Sequence, residues 1–210
     1  MLDSGKKAIL LGYSGHGYVV TEAALLQGIS ILGYAQGEKQ NQNPYRLDFL
    51  GDETLSDFNW QLSKDYLLGV GSNKIRAKLA NRILEMGGKC LTVIHPSASL
   101  AQTIKVGQGT FVARNVSVNP LVQIGDNVIL NTSCTIDHEC QISANVHVAP
   151  GAVLAGNVCV GEGSFIGANS VIREGVKIGK NVVIGAGSVI LTDVYDDQVV
   201  VGNPAKQINR

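Results

Sequence analysis

Four titratable residues of this chain fall in a pattern that suits proton transfer. Asp137-His138-Glu139 sets an imidazole between two carboxylates, and His147 follows nine residues later. A carboxylate beside a histidine fixes its tautomer and raises the basicity of the other ring nitrogen, which is what a general base needs near neutral pH. Zinc is the competing reading of the same residues. A histidine-based catalytic zinc needs three protein ligands, and His16 and His95 lie elsewhere in the chain, so no metal is expected. Cys140 adjoins Glu139, yet Cys90, Cys134, Cys140 and Cys159 show neither C-x-x-C spacing nor a disulfide framework. They read as reduced, buried thiols of a cytoplasmic protein.

A second cluster lies near the start. Gly12-Tyr13-Ser14-Gly15-His16-Gly17 separates an apolar strand, Lys6 to Leu11, from a helix-like run, Tyr18 to Gln27. Gly28 stops that helix and Ile29 to Tyr34 forms a second strand. This is a βαβ opening with a glycine-rich turn at a helix N-terminus, where backbone N–H groups can cradle a phosphate. A dinucleotide fold places an acid about 20 residues on, at the end of the second strand. Ala35, Gln36 and Gly37 stand there instead, which disfavours NAD.

The elements that must hold these clusters are of two kinds. From Ile94 to Ile190 every sixth residue is Ile, Leu or Val, seventeen in succession. A period of six fits neither a lone helix nor a free strand, but it fits a solenoid with six-residue faces and three faces per coil. Stacked at strand spacing, five to six coils make a prism roughly 26 Å tall. The aliphatic residue points inward, and a small or β-branched residue four positions later, such as Cys140, Ala152 or Ser164, fills the corner. A glycine one position after it, such as Gly107, Gly125 or Gly161, is expected to relieve the backbone at the turn. In this register His138 and His147 project outward or at a corner.

Before the prism, Glu38 to Asp65 reads as a polar connection, Tyr66 to Val70 as a strand, and Lys74 to Met86 as a helix entered through Gly71-Ser72-Asn73. Gly87-Gly88 caps that helix and Lys89 to Val93 is a last strand. The chain thus divides into an α/β Rossmann-like domain, residues 1–93, and an all-β parallel β-helix, residues 94–210.

Composition agrees. Of the 210 residues, 17 are Lys or Arg and 17 Asp or Glu, so a basic surface for nucleic acid or an anionic membrane is not expected. Eight of the eleven aromatics precede residue 94, because rings do not fit inside a narrow prism. Lys6-Lys7 precedes an apolar stretch, Ala8 to Leu11, that is too short for a signal sequence, and polar residues break the uncharged run from Cys140 to Gly161.

Asn131-Thr132-Ser133, Asp137-His138-Glu139-Cys140, His147, Ala155-Gly156-Asn157-Val158 and the closing Val201-Gly202-Asn203-Pro204-Ala205-Lys206 resemble one family closely. So do the Gly12-to-Gly17 turn and Gly71-Ser72-Asn73…Arg76. It is the sialic acid O-acetyltransferase (NeuD)-like family, which includes the nucleotide-aminosugar N-acetyltransferases of the PglD, PerB and VioB types. The resemblance implies a left-handed β-helix, acetyl-CoA as co-substrate, a nucleotide-linked amino sugar as acceptor, and a homotrimer with active sites between subunits. It implies that His138 is the base and Glu139 the acid that raises its basicity, with Asp137 a second candidate. It implies that His147 contacts acetyl-CoA and that the backbone at Gly156, Ala168 and Ala186 lines the CoA groove. For the sugar nucleotide it implies contacts from Ser14, Gly15, His16 and Gly71 and from Gln36 after the second strand, with Asn131 near the amino sugar. The family commonly carries acids where Gln36 and Gly37 stand, which leaves the nucleotide open; UDP or dTDP is favoured. Arg173, Lys177, Lys180 and Lys206 are candidates for the CoA phosphates. O-acetylation of a sialic acid or another sugar hydroxyl, and a non-catalytic assembly role, are the alternatives.

Overall fold

The computed structural model describes residues 7–208; Lys6, the expected start of the first strand, lies outside them. The first domain is a four-stranded parallel sheet with helices. β1 (Lys7–Leu11) leads through the glycine turn into α1 (Gly15–Leu26), then β2 (Ser30–Ala35), β3 (Asp65–Leu68), α2 (Asn73–Glu85) and β4 (Lys89–Cys90). The strand order is β2-β1-β3-β4. After the exposed Lys7, the four remaining residues of β1 are apolar and fully buried, as a central parallel strand requires. α1 begins three residues earlier than its apolar pattern suggests, because the glycine turn itself winds into the first helical turn. Ser72 caps α2, accepting from the Ile75 N–H.

After β4 the chain becomes a prism of two-residue rungs. One face carries Val93–Ile94, Phe111–Val112, Ile129–Leu130, His147–Val148, Phe165–Ile166 and Val183–Ile184. The first domain packs on it, so we call it the docked face. The next carries Ser99–Leu100, Ser117–Val118, Thr135–Ile136, Val153–Leu154, Val171–Ile172 and Val189–Ile190, and we call it the valine face. The third, polar, face carries Lys105–Val106, Gln123–Ile124, Gln141–Ile142, Cys159–Val160 and Lys177–Ile178. From Val93 to Val171 every rung pairs in parallel with the one eighteen residues on, as Ile129 with His147 and His147 with Phe165. The second residue of each rung belongs to the sixfold aliphatic series. From Val112 to Ile190 each is at most 4% exposed, so the series is the core.

The corners differ from the expectation. The left-handed backbone sits three residues after the inward aliphatic, at every sixth position from Gly109 to Gly187. Asparagine holds six of these positions (115, 127, 145, 157, 169, 181), because its short amide tolerates positive φ. The glycines one position after the aliphatic answer a different need. A Cβ on Gly125 would lie 2.7 Å from the Ala144 nitrogen of the next coil, so close stacking forbids one. Leu121, Ser133 and Glu139 are the left-handed corner residues that are neither Asn nor Gly.

Arg76 joins the two domains. It is 1% exposed, and its guanidinium donates to Val70 O, Gly71 O and Asn73 Oδ1 of its own domain and to Asn127 O, Asn145 O and Val146 O of the prism. A buried charge is costly unless its hydrogen bonds are replaced, and here carbonyls replace them. Burial holds its pKa down to about 10, so it stays protonated at neutral pH. Asn73 Nδ2 also donates to Gly163 O and Ser164 O, and Arg114 pairs with Glu22 at 2.7 Å.

Candidate active site

The prism sorts the candidate residues by edge. Residues eighteen apart share a corner, so Asp137, His138, Glu139 and Gly156 stack on the edge between the valine and polar faces. Ala168 and Ala186 stack on the edge between the docked and valine faces, beside Asn131. His147 lies on the docked face itself, under the first domain. The width of the valine face separates the two groups.

On the first edge, His138 Nδ1 lies 3.0 Å from Glu139 Oε2. A carboxylate oxygen accepts, so Nδ1 carries the proton and Nε2 is the free base nitrogen. Asp137 Oδ2 stands 4.0 Å from Nε2, beyond hydrogen-bonding distance. Asp137 Oδ1 accepts from Asn119 Nδ2 at 2.7 Å and from the His138 N–H at 2.8 Å. These bonds hold the Asp137 carboxyl below its ordinary pKa. Glu139 is therefore the orienting partner of the ring, and Asp137 orders the corner backbone. Asn119 was not singled out from sequence, although it stands one coil before Asp137. The imidazole is about half exposed and lies against Gly156, where a Cβ would be 2.6 Å from His138 Cε1. Cys140 is fully buried at the inner corner with its Sγ on Ala155 O, and burial pushes its thiol up to about 11.

The second group surrounds the glycine turn. The first N–H bonded inside α1 is that of Tyr18, to Ser14 O, so the N–H groups of Gly15, His16 and Gly17 are left for another partner. Ser14, the N-cap residue, makes no side-chain cap and is exposed. Gln36 is spent within the chain: its Oε1 accepts from the Tyr13 N–H at 2.7 Å and its Nε2 donates to Glu38 O at 2.7 Å. It shapes the turn rather than presenting a free group.

His147 projects outward from the prism, as its register predicts, but it is not solvated: the docked domain leaves it 8% exposed. Its Nδ1 lies 3.3 Å from Gly71 O and its Nε2 3.1 Å from Asn131 Nδ2. Its ring meets Phe165 edge-on at 5.1 Å between centroids and His16 at 6.3 Å. Burial, followed by the Arg76 charge, pushes the His147 pKa down to about 4; burial, then His147 and Arg76, pushes His16 down to about 3. Both rings are therefore neutral at pH 7.

Of the four cations considered for CoA phosphates, Arg173 shares the His138 edge, one coil beyond Ala155. Lys180 does not. It lies on the edge between the polar and docked faces, lining a cleft of about 710 Å³ with Asn73, Lys74, Lys78 and Asn181. That cleft lies on a different edge from His138. Among the described residues no group of three or more His, Cys, Asp or Glu is placed to hold a metal ion. No helix there is long and apolar enough to cross a membrane.

A hexapeptide β-helix carrying an imidazole–carboxylate pair, joined to a small α/β domain with an open helix N-terminus, defines a class of acetyltransferase. The chain matches the PglD N-terminal domain over residues 7–83 and the bacterial transferase hexapeptide repeat over residues 139–174 and 157–192. Its fold is that of the acetyltransferase domain of PglB from Neisseria gonorrhoeae, solved with acetyl coenzyme A: 34% identity over 97% of this chain and 100% of that one, TM-score 0.87. PerB from Caulobacter crescentus, solved with CoA and GDP-perosamine, is 30% identical over 97% of both chains, TM-score 0.90. GDP-perosamine N-acetyltransferase of Escherichia coli O157:H7 is 30% identical over 91 residues, so the chain spans 41% of that curated relative's length. This chain belongs to the hexapeptide-repeat acetyltransferases with a PglD-type N-terminal domain.

Proposed function

We propose that the protein is an acetyl-CoA-dependent N-acetyltransferase that acts on the 4-amino group of a nucleotide-linked 4-amino-4,6-dideoxyhexose, in bacterial surface-glycan biosynthesis in the cytoplasm. The observation that carries this reading is the free Nε2 of His138, oriented through Nδ1 by Glu139. The sugar amine attacks the thioester carbonyl carbon while Nε2 takes its proton. The tetrahedral intermediate then expels the CoA sulfur, which the imidazolium reprotonates. The Gly156 N–H, which donates to no described residue, suits the developing oxyanion beside that ring. No covalent acyl-enzyme enters, since the Cys140 thiol faces inward and its pKa is raised.

The nucleotide diphosphate fits the N–H groups of Gly15, His16 and Gly17 at the α1 N-terminus. Ser14, Gly71 and Asn131 border the same region, with His147 beneath. Because these residues and Ala168 and Ala186 lie across the valine face from His138, a complete site takes its base and Gly156 from one copy and the rest from a neighbour. Val153, Val171 and Val189 point outward on that face, with Val171 42% exposed, and apolar rows of this kind favour association. A homotrimer closes the arrangement. For the CoA phosphates Arg173, Lys177 and Lys206 are the remaining candidates.

An acetyl-transfer screen over UDP-, dTDP- and GDP-linked amino sugars, with free sialic acid as a further acceptor, tests the substrate. UDP or dTDP is the nucleotide favoured from the sequence, and the GDP arm answers the perosamine relatives. In the same assay His138→Ala is expected to lose roughly 10²- to 10⁴-fold in turnover while binding both ligands. Near-wild-type turnover overturns the assignment of the base.

A further inference from the structure

Arg76 and His147 meet at one carbonyl. Gly71 O accepts from Arg76 Nη1 at 3.1 Å and from His147 Nδ1 at 3.3 Å. The other end of the guanidinium, Nη2, grips Asn145 O at 3.0 Å and Val146 O at 3.3 Å, the backbone that leads into His147. We propose that Arg76 is a positioning residue that holds His147 as the neutral Nδ1–H tautomer, so that His147 meets acetyl-CoA as a hydrogen-bond acceptor. The acetyl-CoA part of this inference rests on the function proposed above.

The tautomer follows from the partners. A carbonyl oxygen cannot donate, so the proton between Gly71 O and His147 belongs to Nδ1. In a neutral imidazole Nε2 then carries a lone pair. Asn131 agrees: its Oδ1 accepts from the Thr132 N–H at 2.8 Å, which turns Nδ2 toward His147 Nε2 as donor. The second proton, which would make Nε2 a donor, is opposed by the surroundings. The titratable groups that face His147 are Arg76 from α2 and His16 from α1. Its neighbours on the docked face, Ile129 and Phe165, and Asn131 at the edge are uncharged. No carboxylate compensates Arg76 among its described contacts, so its charge and the burial act together against an imidazolium. An acceptor at Nε2 repels a thioester carbonyl oxygen and suits an amide N–H of the pantetheine arm, which on binding takes the one lone pair from Asn131 Nδ2. Oxyanion stabilisation then falls to backbone donors.

The test is two-bond ¹H–¹⁵N correlation spectroscopy on the full chain labelled at histidine, with His147→Gln to assign the resonance. At pH 7 the expected spectrum shows Nδ1 protonated and Nε2 bare, unchanged down to about pH 5. In Arg76→Met the His147 titration should move up by at least about one pH unit and the tautomers should mix. Arg76→Lys keeps the charge but loses the fork: it should titrate low, mix tautomers, and raise the acetyl-CoA KM about tenfold with kcat nearly unchanged. A protonated Nε2 in the wild type overturns the proposal even if Arg76→Met does not fold, and so does an unaltered titration in a folded Arg76→Met. The spectra need no substrate, so a failed acetyl-transfer assay leaves them standing, and a protonated Nε2 leaves the His138 chemistry untouched.

Discussion

The His138 imidazole and the Gly156 backbone are in contact: a Cβ on Gly156 would come within 2.6 Å of Cε1 and 2.7 Å of Nε2. Gly156 does not adopt a positive φ, so alanine is conformationally allowed there and its single conflict is with the ring. Gly156→Ala is expected to displace His138 and lower kcat by about 10²-fold, the cost of misplacing a reacting group by about 1 Å. The melting temperature should change by no more than a few degrees. In a His138→Ala background the same substitution should have no further effect on rate. Additive losses in that double-mutant cycle would show that Gly156 acts without His138.

Glu139 holds its ring partner from a left-handed backbone, φ 62°. Eleven of the fourteen equivalent corners from Gly109 to Gly187 use Asn or Gly, and a larger side chain in this region costs about 1 kcal/mol. Function and stability therefore pull in opposite directions at this position. Glu139→Asn should raise stability by roughly 0.5–1 kcal/mol while turnover falls about 10- to 10²-fold, since the Nδ1–H loses its carboxylate. Chemical denaturation and steady-state rates on the same sample check both signs. A destabilised but fully active variant would contradict the reading of this corner.

The repeat was legible because a sixfold aliphatic series has few physical solutions, and the structure follows it residue by residue from Val112 to Ile190. The edge occupied by His138 and Gly156 was legible too, since 138 and 156 differ by one coil. The burial of His147 was not. Its register places it outward, and nothing in the series tells which of the three faces the first domain covers. That choice is made by long-range bonds from Arg76 and Asn73 to prism carbonyls, and backbone carbonyls leave no trace in sequence. The corner glycines misled for a related reason. Close stacking between coils and left-handed turns both select glycine, and only the structure separates the two.

Acid should weaken the fold through two histidines. His16 and His147 are held neutral, with pKa values pushed down to about 3 and about 4, whereas in the unfolded chain each titrates near 6.5. As pH falls below about 6.5 the unfolded chain takes up protons that the native state refuses, so stability falls with pH until about 4. Each histidine contributes up to roughly 1 kcal/mol per pH unit in that window. Urea unfolding at a series of pH values measures the slope. His16→Asn should remove about half of it; an unchanged slope would mean that His16 is solvated in the native state.

Cys140 separates direct transfer from a covalent route. Its Sγ is buried and donates to Ala155 O at 3.2 Å, and its thiol is pushed up to about 11. The thiolate needed for attack is therefore scarce at neutral pH. Cys140→Ala should keep activity within about threefold and cost roughly 1 kcal/mol of stability through the small cavity left behind. Loss of activity in a fully folded variant, or an acetylated Cys140 in the mass spectrum of a quenched reaction, would restore the acyl-enzyme.

The separation of His138 from the glycine turn by the valine face leads to a prediction that a single-chain site cannot meet. If each site takes its base edge from one copy and its docked-face residues from the next, two inactive variants with lesions on different edges should complement each other. His138→Ala removes the base, and Gly71→Trp blocks the turn above His147. Unfolded together at equal concentration and refolded, they form mixed trimers in which about a quarter of the junctions carry two intact halves. Activity should rise from background to about that fraction of the wild type. Mixing without refolding should give no activity until subunits exchange. A mixture as inactive as its components, in trimers shown by mass spectrometry to be mixed, would place the whole site on one chain and require the first domain to reach around its own prism.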